Sequence, residues 1–232
     1  SPRLPLDQAY TEFVGAVAAA VGSAFDSAAA AASERALSEA LQRSLLTQPV
    51  AGPSLDVAVR YEPASELAQV GGDWYDCYPL PDGAVVMMVG DVAGHDQTAA
   101  AAMGQLRNLA RGVTYSADVW RPSQVLQDLD LAMEGLGMEE VATAVVAVLE
   151  DRGAEGHLVH WASAGHPPPV LRTADGTVRL LDTQPGLLLG LDPSAHRLDH
   201  QVLLAPGDLL LLYTDGLVER RDAGIDEGLV WL

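Results

Sequence analysis

Residues 71–96 read Gly-Gly-Asp-Trp-Tyr-Asp-Cys-Tyr-Pro-Leu-Pro-Asp-Gly-Ala-Val-Val-Met-Met-Val-Gly-Asp-Val-Ala-Gly-His-Asp. The tripeptide Pro81-Asp82-Gly83 divides this stretch into two apolar segments. Proline presets φ for a turn and glycine accepts positive φ, so residues 74–80 and 84–89 are expected to fold back as an antiparallel hairpin. That register has a chemical consequence. Asp73 begins the first segment and Asp91 follows the second, so both carboxylates fall at the same open end. Like charges that close raise one pKa unless a cation neutralises them.

Short apolar segments separated by turn signals continue on both sides of the hairpin. Residues 55–61 alternate and predict a strand, and residues 97–115 predict a helix. A second helix is expected from Pro122, a good first helical position, with Val125, Leu129, Ala132, Met133 and Leu136 inward and Gly135 and Gly137 at its end. Strands are expected over 141–149, 157–162, 170–172 and 177–181, the last two flanking Asp175-Gly176. Two more, 201–204 and 208–213, flank Pro206-Gly207, and Leu209 to Leu212 read as a strand buried on both faces. Strands, two helices, then many strands is not a βαβα alternation. The order predicts an α+β domain of antiparallel strands with helices outside.

Residues 7–46 predict a long helix. Tyr10, Val14, Val17, Val21, Ala24 and Ala28 recur at heptad spacing, and the seam resumes in a shifted phase at Leu37, Leu41 and Leu45. Two readings stay open: an amphipathic helix packed on its own domain, or a linker that dimerises or carries a signal. The expected division is an N-terminal helical segment over 1–47 and a catalytic-type domain over 48–232.

The chain has 232 residues, 49% hydrophobic and 19% charged, which suits one ordinary domain with an appendage and is too apolar for disorder. The single Cys77 excludes a disulfide framework and a Cys-rich zinc module. Thirteen basic residues, all Arg, face 32 acidic ones for a net charge of −19. A field of that sign repels phosphate backbones and anionic lipid, so nucleic acid and membrane surfaces are not the expected partners, and metal cations are. Without a Lys there is neither a Walker-type phosphate loop nor a kinase. No apolar run is read as approaching the roughly 18 residues of a membrane helix, and no signal peptide is recognised, so a reducing, cytoplasmic setting is expected.

Three Asp-containing turns stand out: Gly71-Gly72-Asp73, Gly90-Asp91-Val92-Ala93-Gly94-His95-Asp96, and Thr214-Asp215-Gly216. Carboxylates with backbone carbonyls are hard oxygen donors suited to magnesium or manganese, and glycines let backbone approach an ion. Taken singly, each Asp reads as a turn or helix cap; the combination of three points to a site. His95 and His166, in Gly-rich loops, read either as a general acid or phosphate contact or as loop histidines bonded to backbone. His157, His160, His196 and His200 read as structural. Ser163 lacks the G-x-S-x-G setting of a hydrolase nucleophile.

GGDWYD at 71–76, GDVAGHD at 90–96, ASAGHPPP at 162–169, PGLLLG at 185–190 and YTDGLVE at 213–219 resemble the SpoIIE/RsbU branch of the metal-dependent protein phosphatases, the PPM or 2C-like superfamily. The resemblance implies two stacked, mainly antiparallel sheets flanked by helices, with two manganese or magnesium ions at one edge. It implies that Asp73, Asp91 and Asp215 carry catalysis and, with the Val92 carbonyl, hold the metals. The implied activity is hydrolysis of phosphoserine or phosphothreonine by a metal-activated water, on an anti-sigma-factor antagonist in a partner-switching pathway. Residues 4–46 resemble the last helix of a GAF-type sensor running into a linker, which implies a homodimer through that helix. The chain departs from the family pattern at two places. Asp96 stands where a small Gly is usual, as a helix cap or an added ligand. A further Asp beyond YTDG is missing, so the phosphatase domain is expected to be truncated at its C-terminus. The alternative that follows is a weakened module that binds a phosphoprotein or anti-sigma partner without turnover.

Overall fold

The computed structural model describes residues 7–45, 49, 54–61, 71–94, 97–116, 121–181, 184, 186–219 and 228. The chain forms two units, Ser1–Ser44 and Leu45–Leu232. The first unit is the helix α1 (Gln8–Leu45). Asp7 caps it, its carboxylate accepting the Tyr10 amide at 2.8 Å, which satisfies one of the orphan donors of a helix start. Tyr10, Phe13, Val14, Val17, Val21 and Phe25 are all exposed on this helix. The side chains of Leu37, Leu41 and Leu45 lie outside the described residues. Residues Gln8–Ser33 contain an 18-residue window apolar enough, by length and composition, to cross a membrane. This corrects the sequence expectation of no such run. Glu12 and Asp26 interrupt every charge-free stretch, but the alanines and valines around them keep the average high.

The second unit begins its regular structure with the hairpin of β1 (Asp73–Pro79) and β2 (Val85–Val92). The helices α2 (Gln97–Ser116) and α3 (Pro122–Leu136) follow. Then come β3 (Ala142–Asp151), β4 (His157–Ala164), β5 (Val170–Arg172), β6 (Val178–Leu180), β7 (His200–Leu204) and β8 (Leu209–Leu211). One antiparallel sheet has the order β1-β2-β3-β4-β7 and the other β6-β5-β8. This is the expected α+β architecture.

Two apolar layers hold it together. On the outer face of the larger sheet, Trp74, Val86, Met88, Ala144 and Val146 pack with Met103 and Leu106 of α2 and with Leu126, Leu129 and Met133 of α3. On the inner face, Cys77, Val85, Ala147, Leu149, Val159 and Trp161 pack with Leu171, Leu210 and Leu212 around the smaller sheet. The strand β3 therefore has both faces covered, which is why it reads as an unbroken apolar run. Gly137 ends α3 in the left-handed conformation, φ 67°, its amide bonding the Glu134 carbonyl. Gly135 sits inside the helix instead.

Two strand expectations are corrected. Residues 55–61 run without pairing into either sheet, although Leu55 and Val57 still pack on the inner core. Their alternation reports a half-covered segment, not a ladder. The strands expected on either side of Pro206-Gly207 are present and belong to different sheets: β7 ends in the larger sheet and β8 begins in the smaller one. Leu209 to Leu212 are not buried on both faces, and Leu209 is exposed, because β8 lies at a margin of the smaller sheet among the described strands.

Among the described residues, two buried aspartates, Asp76 and Asp130, anchor ion pairs that tie the helices to their surroundings. Asp76 on β1 accepts from Arg107 at 3.2 Å and from Arg111 on α2. Asp130 on α3 accepts from Arg197, whose guanidinium also donates to the carbonyl of Leu187, and from the Gly190 amide at 2.9 Å. The second cluster ties the loop around 186–197 to α3 and, through the Leu189–Ala142 bridge, to the start of β3.

Candidate metal centre

The hairpin register pairs Asp73 with Asp91. The Val92 amide donates to the Gly72 carbonyl at 3.2 Å, so position 92 turns its backbone toward β1. Adjacent positions of an antiparallel ladder alternate, which makes Asp73–Asp91 a non-hydrogen-bonded pair, the closer kind, with Cα atoms about 4.5 Å apart. Both side chains project to the inner face, the side shared with Cys77 and Met87. The third Asp arrives from the other sheet. After β8 the chain passes Tyr213, which is buried against Val170 and Val218, and enters a short 3-10 turn over Asp215–Leu217. Thr214 donates from Oγ1 to the Asp73 carboxylate at 3.3 Å, which anchors this turn to the hairpin.

The electrostatics follow from this convergence. Burial raises the Asp73 pKa, and the charge of Asp215 adds to that; hydrogen bonds with Asp91 and Thr214 oppose it. Asp91 is pushed up to about 7, first by burial, then by the charges of Asp73 and Asp215, with Glu219 adding to the repulsion. Four acidic groups thus crowd one mouth between the sheets, and among the described residues no basic side chain counts among the causes that set the Asp91 pKa. Among the described residues, no three acidic, His or Cys side chains already form a cage around one point. The oxygens offered are instead a close pair, Asp73 and Asp91, with Asp215 facing them.

The backbone of Val92 lies close beside the two carboxylates. A Cβ on Gly72 would lie 2.1 Å from the Val92 carbonyl oxygen and 3.0 Å from Asp91 Oδ1. Only a glycine at 72 fits this close approach of the two strands beside Asp91. The expected result for Gly72→Ala is a weaker manganese affinity, by about tenfold or more, together with a lower melting temperature; calorimetric titration and thermal unfolding read the two. Donor chemistry of carboxylates and a carbonyl fits magnesium or manganese.

The remaining sequence-predicted residues fall as follows. His166 is buried, and its ring nitrogens are both engaged: Nδ1 with Thr143 Oγ1 at 2.8 Å and Nε2 with the Tyr213 carbonyl at 2.9 Å. Burial holds its pKa down to about 4. With both ring nitrogens engaged in this way, it is placed inside the wall of the site as a histidine bonded to backbone and to Thr143. Ser163 shares two hydrogen bonds with the His166 backbone and turns that loop. His157 meets Ser54, His160 meets Glu150 and His200 stacks on Trp161, all outside the mouth. His95 and Asp96 lie outside the described residues. Sequence reasoning passed over Glu219, Thr143 and Thr214. Glu219 stands four residues after Asp215, and its amide bonds the Asp215 carbonyl, a spacing that was available as a signal. Nothing in the sequence pointed to Thr143.

A family model, stage II sporulation protein E (SpoIIE), matches residues 81–230. The phosphoserine phosphatase RsbP of Bacillus subtilis (strain 168) is 27% identical over 192 residues, covering 80% of this chain and 45% of that protein. The solved RsbU and RsbW domains of Rv1364c from Mycobacterium tuberculosis align with a TM-score of 0.61 and 32% identity, over 72% of this chain and 45% of that one. RsbX in complex with magnesium aligns with a TM-score of 0.53 and 19% identity, over 66% of this chain and 70% of that one. The chain spans less than half the length of RsbP. With the family model covering most of the chain and the sandwich shared with these neighbours, the chain belongs to the SpoIIE family, in the SpoIIE/RsbU-like branch of the metal-dependent protein phosphatase superfamily.

Proposed function

We propose that this chain is a divalent-metal-dependent protein serine/threonine phosphatase whose metal ligands are Asp73, Asp91, Asp215 and the Val92 carbonyl. The observation that carries the reading is the meeting of three strand-end aspartates, from two different sheets, at one open mouth of a SpoIIE-family fold. When bound, two manganese or magnesium ions supply a water of lowered pKa and neutralise the phosphate. The protein's own part is to hold and aim. Asp91 faces both Asp73 and Asp215. Thr214 steadies Asp73 from the opposite sheet. The net charge of −19 repels a phosphorylated substrate in the absence of cations, so turnover and phosphate recognition are tied to the same loading step. RsbP is named a phosphoserine phosphatase and the RsbX structure holds magnesium, which supports the same chemistry here. The substrate we propose is a phosphorylated antagonist of an anti-sigma factor.

The test is phosphate release from a phosphoserine protein with and without manganese. Manganese-dependent release, with little release from a phosphotyrosine peptide, is the expected result. Binding of the phosphoprotein with no release at any metal concentration would replace this reading with a phosphatase-like binding module.

A further inference from the structure

His166 carries a role that neither its sequence position nor the metal chemistry assigns. It bridges three parts of the site's wall. Thr143, its partner at Nδ1, is the β3 residue paired with Asp91 in the ladder. Tyr213, its partner at Nε2, lies two residues before Asp215 in the turn that comes from the smaller sheet. Its own loop is set by Ser163 and by Gly165, whose φ of +66° turns the chain at the end of β4.

The partners fix the tautomer. A backbone carbonyl only accepts, so Nε2 carries the hydrogen and donates to Tyr213. Nδ1 is then a lone pair, and the Thr143 hydroxyl donates to it. Every polar atom of the imidazole is used, in one orientation, at a buried position. The larger sheet bears Asp73 and Asp91, and the turn after the smaller sheet bears Asp215. Thr214 to Asp73 is a long contact between them at 3.3 Å, while His166 to Tyr213 is the shorter and buried one.

We infer that His166 is a positioning residue, which clamps the Tyr213 carbonyl to Thr143 and so sets how far Asp215 stands from Asp73 and Asp91. This rests on the metal-centre reading above. The imidazole acts on the ligand geometry through the backbone, without touching substrate or ion. Removing the clamp leaves Asp73 and Asp91 in place but lets the 213–217 turn, and Asp215 with it, move against the hairpin, and a misplaced supporting group typically weakens a metal site 10–100-fold.

The experiment compares His166→Leu, His166→Gln and Thr143→Val with the unaltered 232-residue chain, using manganese alone as the probe. Manganese affinity is read by calorimetric titration and by the loss of the free-ion electron paramagnetic resonance signal, at a temperature where each variant is folded. Glutamine places an amide N–H where Nε2–H stands and keeps the bond to Tyr213; leucine keeps bulk and loses it. The expected result is about a 10–100-fold loss of affinity in His166→Leu, recovery to within about threefold in His166→Gln, and an intermediate loss in Thr143→Val. Where the leucine variant does not fold, the glutamine and Thr143→Val variants carry the comparison. Affinity equal to the unaltered chain in His166→Leu and in Thr143→Val would overturn the inference. So would an equal loss in leucine and glutamine variants, since that is the signature of packing alone. An unaltered chain that binds no manganese would instead overturn the metal-centre reading, and the inference with it.

Discussion

Replacing Asp91 with Asn is expected to abolish metal-dependent phosphate release while making the metal-free protein more stable. Asp91 faces both other aspartates and Glu219, so its loss removes a group that meets every other acid of the cluster. Metal-derived charge stabilisation is worth several kcal/mol in such reactions, and a fall in rate on the order of 10³-fold or more follows. The stability change has the opposite sign, for a reason visible in the electrostatics. The Asp91 carboxyl titrates near 7 in the folded chain against an ordinary value of 3.8. Between those values the folded chain holds a proton that the unfolded chain has released, so stability falls as pH rises through the window. The full shift corresponds to a ceiling of about 4 kcal/mol. Asp91 is only half-buried, and solvent screening brings the expected cost at pH 7.5 to roughly 1–2 kcal/mol. Thermal unfolding without metal should show the native chain losing several degrees between pH 5 and 7.5 and Asp91→Asn losing much less. Excess manganese should raise the melting temperature of the native chain and not of the variant.

The second large effect lies behind the site. Asp76→Ala is expected to cost about 3–5 kcal/mol, a large share of the 5–15 kcal/mol typical of a domain. Asp76 is buried under α2 and is the acceptor for both Arg107 and Arg111. Burial already lowers the Arg107 pKa, with the Asp76 charge opposing that shift, so deleting the carboxylate removes a charge that stabilises a guanidinium in the core. Arg111 is better placed to adapt: it is partly exposed and also lies over the Tyr78 ring, 4.9 Å from its centroid. Urea unfolding reads the loss. Adding Arg107→Met to Asp76→Ala should recover a good part of it, because two apolar groups remove the stranded charge. A loss below about 1 kcal/mol in the single variant would mean that water reaches this cluster.

How much of this was legible in the sequence depended on whether local chemistry decided the outcome. The hairpin was legible because Pro81-Asp82-Gly83 admits few turns, and its register then placed Asp73 opposite Asp91. The start of α3 at Pro122 and its left-handed stop at Gly137 were legible for the same reason. Leu209 to Leu212 misled because an apolar run reports the composition of a strand, not its place in a sheet. Residues 55–61 misled because alternation reports coverage of one face and not ladder pairing. The exposed heptad positions of α1 and the span Gln8–Ser33 show the limit from another side: counting uninterrupted runs missed a segment whose average, not its continuity, sets its hydropathy. His166 was legible as a special histidine but not as a clamp, since Thr143 and Tyr213 are distant in sequence and meet it only through the stacking of two sheets. Glu219 joins the acidic mouth through a turn, which motif matching at YTDG does not resolve.

The most direct measurement is a manganese titration of the native chain and of Asp73→Asn, Asp91→Asn and Asp215→Asn, followed by the electron paramagnetic resonance signal of the free ion. The native chain is predicted to bind manganese, each of the three variants to bind it at least tenfold more weakly, and Asp91→Asn to be the weakest. Equal binding by the native chain and all three variants would place the ions elsewhere and contradict the assignment of this mouth as the metal centre.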